Sequence, residues 1–461
     1  MKITEVRYSH FPSLHALFLL LVSTISPSYT NVACIPTLIT HTLTNSSKSI
    51  ILTRIAQLYI YPIKSLAPLS VSRARLRPEG VEHDRRFMLL KVQPDGTYKN
   101  IQIVRFPECA LFHQRLDLDA GEIEVTYHVP SPPLFTPVAP EQRAALRVPL
   151  YPDIKNHHGD DDNNNVIDVS LGGSRTIAYR MGDPYDAWFS ACFGYEVVLV
   201  YIGDQARDVL AHKPSQHLLW RQSQSQQQQQ QEGGWMSAIS SYIPGMASGK
   251  GDNEGEAGNR KQGKKGSSNK SEWLAFNDVA PYLVTSKASL HDVSKRLPEG
   301  EDMDMRRFRS NIVVDGGAAE KGGEEEGEGE VLEAWDEDFW AELTVVTRKN
   351  GGNDGGGERH RLALTANCGR CMSINVDYDQ GRPSEGEPGQ VLKKLMADRR
   401  VDLGNKYSPI FGRYAFIAPG ERGDDDEDVV VEVAVGDEIH VTKRLDQRDT
   451  WAWPRPVKNG S

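Results

Sequence analysis

From Ile51 onward, apolar and polar positions alternate over short runs that end at turn residues, a period-two pattern that marks half-buried strands. Ile55–Ile60 reads as a strand ending at Tyr61-Pro62. Phe87–Val92 and Tyr98–Val104 flank Gln93-Pro94-Asp95-Gly96, which predicts a hairpin: Pro presets φ and Gly supplies a positive one. Further strands are expected at Ile123–Tyr127, Ala145–Val148, Glu196–Tyr201, Tyr282–Thr285, Ile312–Gly316, Glu342–Thr347, Ala363–Val376, Tyr414–Ile417, Val429–Val435 and Ile439–Val441. Only Asp186–Phe193 and the stretch from Ser286 to Leu297 read as helical, the latter with Ser286 as N-cap. The expected class is mainly β with α (α+β), built as barrels or sandwiches.

Four stretches break the pattern. Residues 221–270 pass from a Gln/Ser tract into Gly, Lys, Asn and Glu with few apolar residues, too few to offset the entropy of ordering. A disordered insertion is expected there, with Trp235–Met246 as a docking or helical patch inside it. Gly316–Glu330, Lys349–Glu358 and Arg422–Asp428 read as expanded surface loops. The chain therefore divides into residues 1–50, a first β domain at 51–202, a second at 203–445, and a tail at 446–461. Between Arg7 and Lys48 no charged Asp, Glu, Lys or Arg occurs, and Leu14–Ile25 is apolar but short for a bilayer span. A signal peptide, an organelle-targeting or membrane-anchoring leader, and a misassigned start all remain open for residues 1–50.

The net charge of −10 sits largely in runs such as Glu324-Glu325-Glu326 and Asp424-Asp425-Asp426, and no basic stripe points to nucleic acid. Five scattered cysteines are not a disulfide framework, which favours a reducing, intracellular compartment. Neither an Fe–S cysteine set nor a G-x-G-x-x-G fingerprint for NAD or a flavin is present.

Chemistry concentrates at Asn367-Cys368-Gly369-Arg370-Cys371. A zinc half-site, a redox dithiol, two structural cysteines and a soft-metal thiolate all fit a C-x-x-C pair. Zinc needs two more ligands, and a thioredoxin-like dithiol should open a helix, whereas the residues after Cys371 alternate like a strand. For the thiolate reading, Arg370 beside Cys371 favours the charged sulfur, and Gly369 allows close backbone approach. Elsewhere Lys64-Ser65, Arg85, and Arg309 with Asn311 supply the donors that an anionic ligand requires.

Taken together, these segments resemble the MOSC-domain family with its N-terminal β-barrel domain, which includes the mitochondrial amidoxime-reducing component. The resemblance rests on Tyr61-Pro62-Ile63-Lys64-Ser65, Gly80 to Met88 with Asp84-Arg85, Ser286-Lys287-Ala288-Ser289-Leu290, and Phe308-Arg309-Ser310-Asn311-Ile312. Trp335 to Trp340, Gly369-Arg370-Cys371 through Val376-Asp377, and Ser408-Pro409-Ile410-Phe411-Gly412 complete it. Ser310 and Tyr378 replace common prolines of the family, and Val279-Ala280 replace residues that are often polar.

The resemblance implies an N-terminal β-barrel-like domain followed by a MOSC β-barrel domain, with disordered insertions. It implies the molybdenum cofactor (Mo-molybdopterin), with Cys371 as metal ligand and catalytic centre and with Lys64, Ser65, Arg85, Arg309, Asn311 and Arg370 as cofactor-binding residues. The implied activity is two-electron reduction of small N-oxygenated compounds, with electrons from an external donor such as a b-type cytochrome with its reductase. A sulfur carrier and a cofactor storage or delivery protein are the competing expectations. Intracellular placement, mitochondrial or membrane-associated through residues 1–50, fits the resemblance.

Overall fold

The computed structural model describes residues 52–153, 165–217, 272–316, 332–347, 357–419 and 430–454. The leader, the 221–270 insertion and nearly all of the three smaller loops lie outside the described residues. Those described fall in one compact unit, Leu43–Ser461. None of their helices is long and apolar enough to cross a membrane.

The centre is a closed barrel of seven strands. In hydrogen-bonded order they are Leu52–Ile60, Ile312–Gly316, Tyr282–Ser286, Ile410–Ile417, Glu358–Gly369, Trp340–Thr347 and Glu438–Arg444, the last pairing back to the first. Neighbours run antiparallel except Tyr282–Ser286 with Ile312–Gly316. That parallel pair requires a crossover, supplied by the helix Lys287–Ser294 and the 3-10 turn Met305–Phe308. Ser286 caps the helix as expected, accepting from the Ser289 N–H at 3.1 Å. Ile312 and Val314 face the barrel core while Val313 packs outward under the crossover, so consecutive residues are all buried. Closure draws its first strand from the N-terminal segment.

The N-terminal half adds a five-stranded sheet (Val166–Leu171, Ser174–Arg180, Val197–Tyr201, Phe87–Val92, Tyr98–Asn100) and a meander of Phe112–Asp117, Glu122–Tyr127 and Leu146–Pro149. They enclose an apolar core with the helix Tyr185–Phe193, where the Phe112 and Phe193 rings stack with centroids 4.6 Å apart.

Two expected strands fall short. The hairpin arm ends at Asn100, because the amides of Arg105 and Phe106 both turn back to the Gln102 carbonyl. After Cys371 the chain forms a 3-10 turn, Met372–Asn375, and only Val376–Asp377 pairs as strand. Here the Asn375 side chain accepts from Leu392 N at 3.0 Å, and the turn prevails over the β propensity of Ile374.

Trp335 to Trp340 spends its acids on the fold. Asp336 accepts from Arg444 and from the Trp340 indole, and both oxygens of Asp338 accept from Arg399 Nη2, at 2.9 and 2.8 Å. Glu337 is fully buried against the Ser286 and Ser289 hydroxyls, at 3.0 and 2.8 Å. Residues 446–454 are docked: Asp449 accepts from the buried Arg413 and from His217, and the Trp451 amide donates to Asp402.

Burial raises the Glu337 carboxyl to about 7, more than its serine partners lower it. A folded-state value above the unfolded one stabilises at low pH and is lost as pH rises through the folded value. Stability should therefore fall by roughly 3 kcal/mol from mildly acidic pH to above about 7. Glu337→Gln should flatten that slope in denaturant titrations; an unchanged slope would mean another group is responsible.

Candidate functional site

One pocket of about 230 Å³ is lined by Lys64, Ser65, Arg85, Arg309, Asn311, Arg370 and Cys371. All seven residues singled out in the sequence thus meet, although they span positions 64 to 371. The barrel's first strand runs into Tyr61–Ser65, the strand Glu358–Gly369 runs out to Cys371, and the crossover delivers Arg309 and Asn311.

Local backbone conformation sets these side chains. Ser65, Arg85 and Arg309 have φ of 77°, 51° and 56°, half of the six non-glycine residues with positive φ among those described. Such conformations cost roughly 1–3 kcal/mol each and persist only where the surroundings impose them. The imposing contacts are short: Arg85 N to Tyr61 O at 2.8 Å, Lys64 N to Phe87 O at 2.8 Å and Arg309 N to Arg306 O at 3.1 Å.

Two of the guanidiniums share an aromatic plate. Arg85 lies 4.3 Å and Arg309 4.4 Å from the centroid of the Tyr61 ring. Burial raises the Tyr61 phenol far above its usual range, so it stays neutral and donates to the Ser310 carbonyl at 3.0 Å. Asp84, buried, accepts from Arg85 at 2.5 Å and from Tyr61 N at 2.7 Å. The Asn311 amide is engaged on both sides: its oxygen accepts from Leu283 N and Arg85, and its nitrogen donates to Tyr59 O and Asp84. The Ser65 hydroxyl donates to Ile101 O at 2.9 Å. Asn311 therefore orients Arg85 through its side-chain oxygen, and Ser65 orients Arg309 through its backbone carbonyl, at 3.5 Å, with its hydroxyl bonded elsewhere.

Lys64 is nearly inaccessible and donates to Phe276 O at 2.7 Å and to Asp278 at 2.5 Å. Burial lowers its pKa to about 8 despite the Asp278 charge. Asp278 keeps 69% of its side chain exposed, and the Lys64 charge holds its carboxyl below the usual carboxylate range. The loop carrying Asn277 and Asp278 is held by the buried Arg207, which bonds the carbonyls of Ala275, Asn277 and Leu171.

Arg370 reaches both sulfurs' surroundings, with Cys368 and Cys371 both among the charges that act on it. Its guanidinium donates to Cys368 Sγ at 2.9 Å and to Phe308 O at 2.7 Å, so the sulfur it touches belongs to Cys368. Residues two apart in an extended chain share a face and odd neighbours do not. Cys371, at the strand exit, is exposed, with Sγ 3.2 Å from the Ser373 hydroxyl.

Sequence reasoning missed Asn277, Asp278, Ser373 and Tyr414 as pocket residues. Asp278 precedes the Val279-Ala280-Pro281 departure, and its charge was the available signal; Tyr414 sits in an ordinary strand run with none. Asn277 Nδ2 donates to Asp84 and Pro281 O, which fixes the amide orientation and leaves Oδ1 buried without a partner. Arg370 Nε is likewise unpartnered. Among the described residues no group of three or more His, Cys, Asp or Glu could hold a metal. A metal at Cys371 needs its other ligands from a bound molecule. Four cations, an orphaned donor, an orphaned acceptor and one open thiol suit an anionic heterocycle carrying a soft metal.

Comparison with known proteins matches residues 52–196 to the MOSC N-terminal beta barrel domain and residues 271–440 to the MOSC domain. "Mitochondrial amidoxime-reducing component 1" of Homo sapiens is 30% identical over 145 residues, 31% of this chain and 34% of that protein. The Danio rerio protein of the same name is 30% identical over 145 residues, 32% of this chain and 35% of the relative. "Molybdenum cofactor sulfurase" of Arabidopsis thaliana is 22% identical over 352 residues, 74% of this chain and 31% of the relative. The matched stretches span about a third of the length of these relatives.

Lys64 loses its proton as pH rises through about 8, so the pocket's affinity for a phosphate-bearing anion should fall across that point. Calorimetric titration with pyrophosphate should show the fall in the wild type, and a weaker, flatter profile in Lys64→Met. Equal profiles for the two proteins would remove Lys64 from the ligand set.

Proposed function

The chain belongs to the MOSC-domain family, and on that premise we propose that it is a molybdenum-cofactor-dependent oxidoreductase that reduces N-hydroxylated and related N-oxygenated compounds. The observation that carries this reading is the exposed thiol of Cys371 opening into the same pocket as Lys64, Arg85, Arg309 and Arg370.

In this reading Cys371 ligates the metal. Lys64, Arg85 and Arg309 hold the anionic groups of the pterin cofactor, Arg370 and Asn277 meet its polar edge, and Ser65 and Asn311 keep the cations aimed. The cofactor, when bound, supplies two-electron redox chemistry at the metal. The overall change balances as R–NHOH plus two electrons and two protons giving R–NH2 plus water. Electrons come from a separate donor protein such as a b-type cytochrome with its reductase. A mitochondrial address, as in the names of the amidoxime-reducing relatives, is part of the same proposal.

The long alignment with the cofactor sulfurase favours a second reading, in which Cys371 holds cofactor or sulfur in transit without turnover. Molybdenum analysis of the purified protein, with benzamidoxime reduction driven by reduced methyl viologen, separates the two. Metal with turnover supports the reductase, and metal without turnover supports storage or delivery. Cys371→Ala should lose nearly all turnover and most of the molybdenum, while keeping the wild-type denaturation midpoint of the cofactor-free protein. Full molybdenum retention in that variant would remove Cys371 as the ligand.

A further inference from the structure

Beside the mouth of the pocket the protein presents apolar side chains that its own packing does not use. Among the described residues, Tyr407 and Leu403 are the most exposed large hydrophobics, at 84% and 75%. Met372, next to Cys371, is 54% exposed. The turn that carries Leu403 and Tyr407 is fixed against the site. Pro409 O accepts from Arg370 N at 2.8 Å, Ser408 lies against Gly369, and any side chain at position 369 would collide with Asn405. On the far side, Asp402 takes the amides of Gly404 and Trp451, each at 2.9 Å, and the Asn367 side chain at 3.1 Å. The apolar tips of Leu403 and Tyr407 thus stand on a turn held against Gly369 and Arg370, the two residues that precede Cys371.

Charge selects the partner. Between Arg399 and Pro409 the exposed charges are Arg400 and Lys406, both positive; the exposed carboxylates nearby, Asp398 and Asp278, are paired with Arg296 and Lys64. The one acid in that stretch, Asp402, is 1% exposed and fully engaged. This is a local cationic face on a chain whose formal charge is −10. Exposed aromatic and aliphatic anchors ringed by one sign of charge are what a transient, electrostatically steered protein contact uses.

We propose that Met372, Leu403 and Tyr407, flanked by Arg400 and Lys406, form the docking surface for an electron-carrier protein with a carboxylate-rich face around its redox group. The assignment rests on the reading of the pocket as a reductase site fed by a separate donor. Docking there puts the carrier over the mouth of the pocket beside Cys371, and weak apolar contact with charge steering allows it to leave after each electron.

The test uses the full chain loaded with cofactor, and compares wild type with a Leu403→Ser/Tyr407→Ser double variant and with Lys406→Glu. The electron source is either an acidic b-type cytochrome kept reduced by its reductase, or reduced methyl viologen, which needs no docking surface. Calorimetry reports binding of the cytochrome directly. Both variants should raise the KM for the cytochrome about tenfold or more and weaken its binding in parallel. Molybdenum content and the viologen-driven rate should stay at wild-type levels. The wild-type rate with cytochrome should fall as salt rises, and Lys406→Glu should lessen that dependence. Unchanged cytochrome binding in both variants would overturn the docking surface, as would loss of self-association of this chain as their main effect. Absence of viologen-driven turnover in the wild type would instead overturn the reductase reading, while the binding measurement still decides whether the face holds the carrier.

Discussion

Closure of the seven-stranded barrel by Leu52–Ile60 is the constraint on which the site depends. An open sheet would expose the edges of Ile312–Gly316 and Glu438–Arg444, and the first strand pairs with both. The chain leaving that strand carries Tyr61 to Ser65 into the pocket that also receives Asn311 from the neighbouring strand and Arg370-Cys371 from the run-out of Glu358–Gly369. Gly412 belongs to the same constraint: its φ is +82°, and a Cβ there would lie 2.7 Å from the Thr285 methyl and 2.8 Å from Val284 O, so only glycine lets these strands pair so closely.

Crowding Lys64, Arg85, Arg309 and Arg370 into one cavity opposes folding, since like charges at low dielectric repel and each loses hydration. The structure answers with Asp84 behind Arg85, Asp278 against Lys64 and the π face of Tyr61 under two guanidiniums. Those partners offset part of the positive charge, and the low pKa of Lys64 expresses what remains of the desolvation cost. An anionic ligand relieves that residue, which ties the strained backbone at Ser65, Arg85 and Arg309 to binding.

Distance from the pocket does not make the acidic stretch idle. Asp338 clamps Arg399 and Arg448, and Arg413 bonds the Asp338 carbonyl as well as the side chain of Asn367, the residue before Cys368. Residues without a place in the chemistry hold the strand end from which the thiol projects. The Ser286–Glu337 contact likewise ties the crossover, and with it Arg309 and Asn311, to the barrel wall.

Much was legible from the chain alone, for physical reasons that act locally. Hydrophobic patterning located all seven barrel strands but not Phe112–Asp117, Val166–Leu171 or Ser174–Arg180, Ser286 announced its helix, and the residue types at Lys64, Arg85, Arg309, Asn311 and Cys371 were those suited to an anionic, metal-bearing ligand. Contacts between distant residues decided the rest. Side-chain parity turned Arg370 toward Cys368, the turn at Asn375 prevailed over β propensity, and the amide of Asn311 was taken up by Arg85 and Asp84. The ion pair of Lys64 with Asp278 joins residues more than two hundred positions apart. Propensity and pattern are properties of neighbours along the chain, whereas the direction of a side chain and the burial of a charge exist only once the barrel has closed.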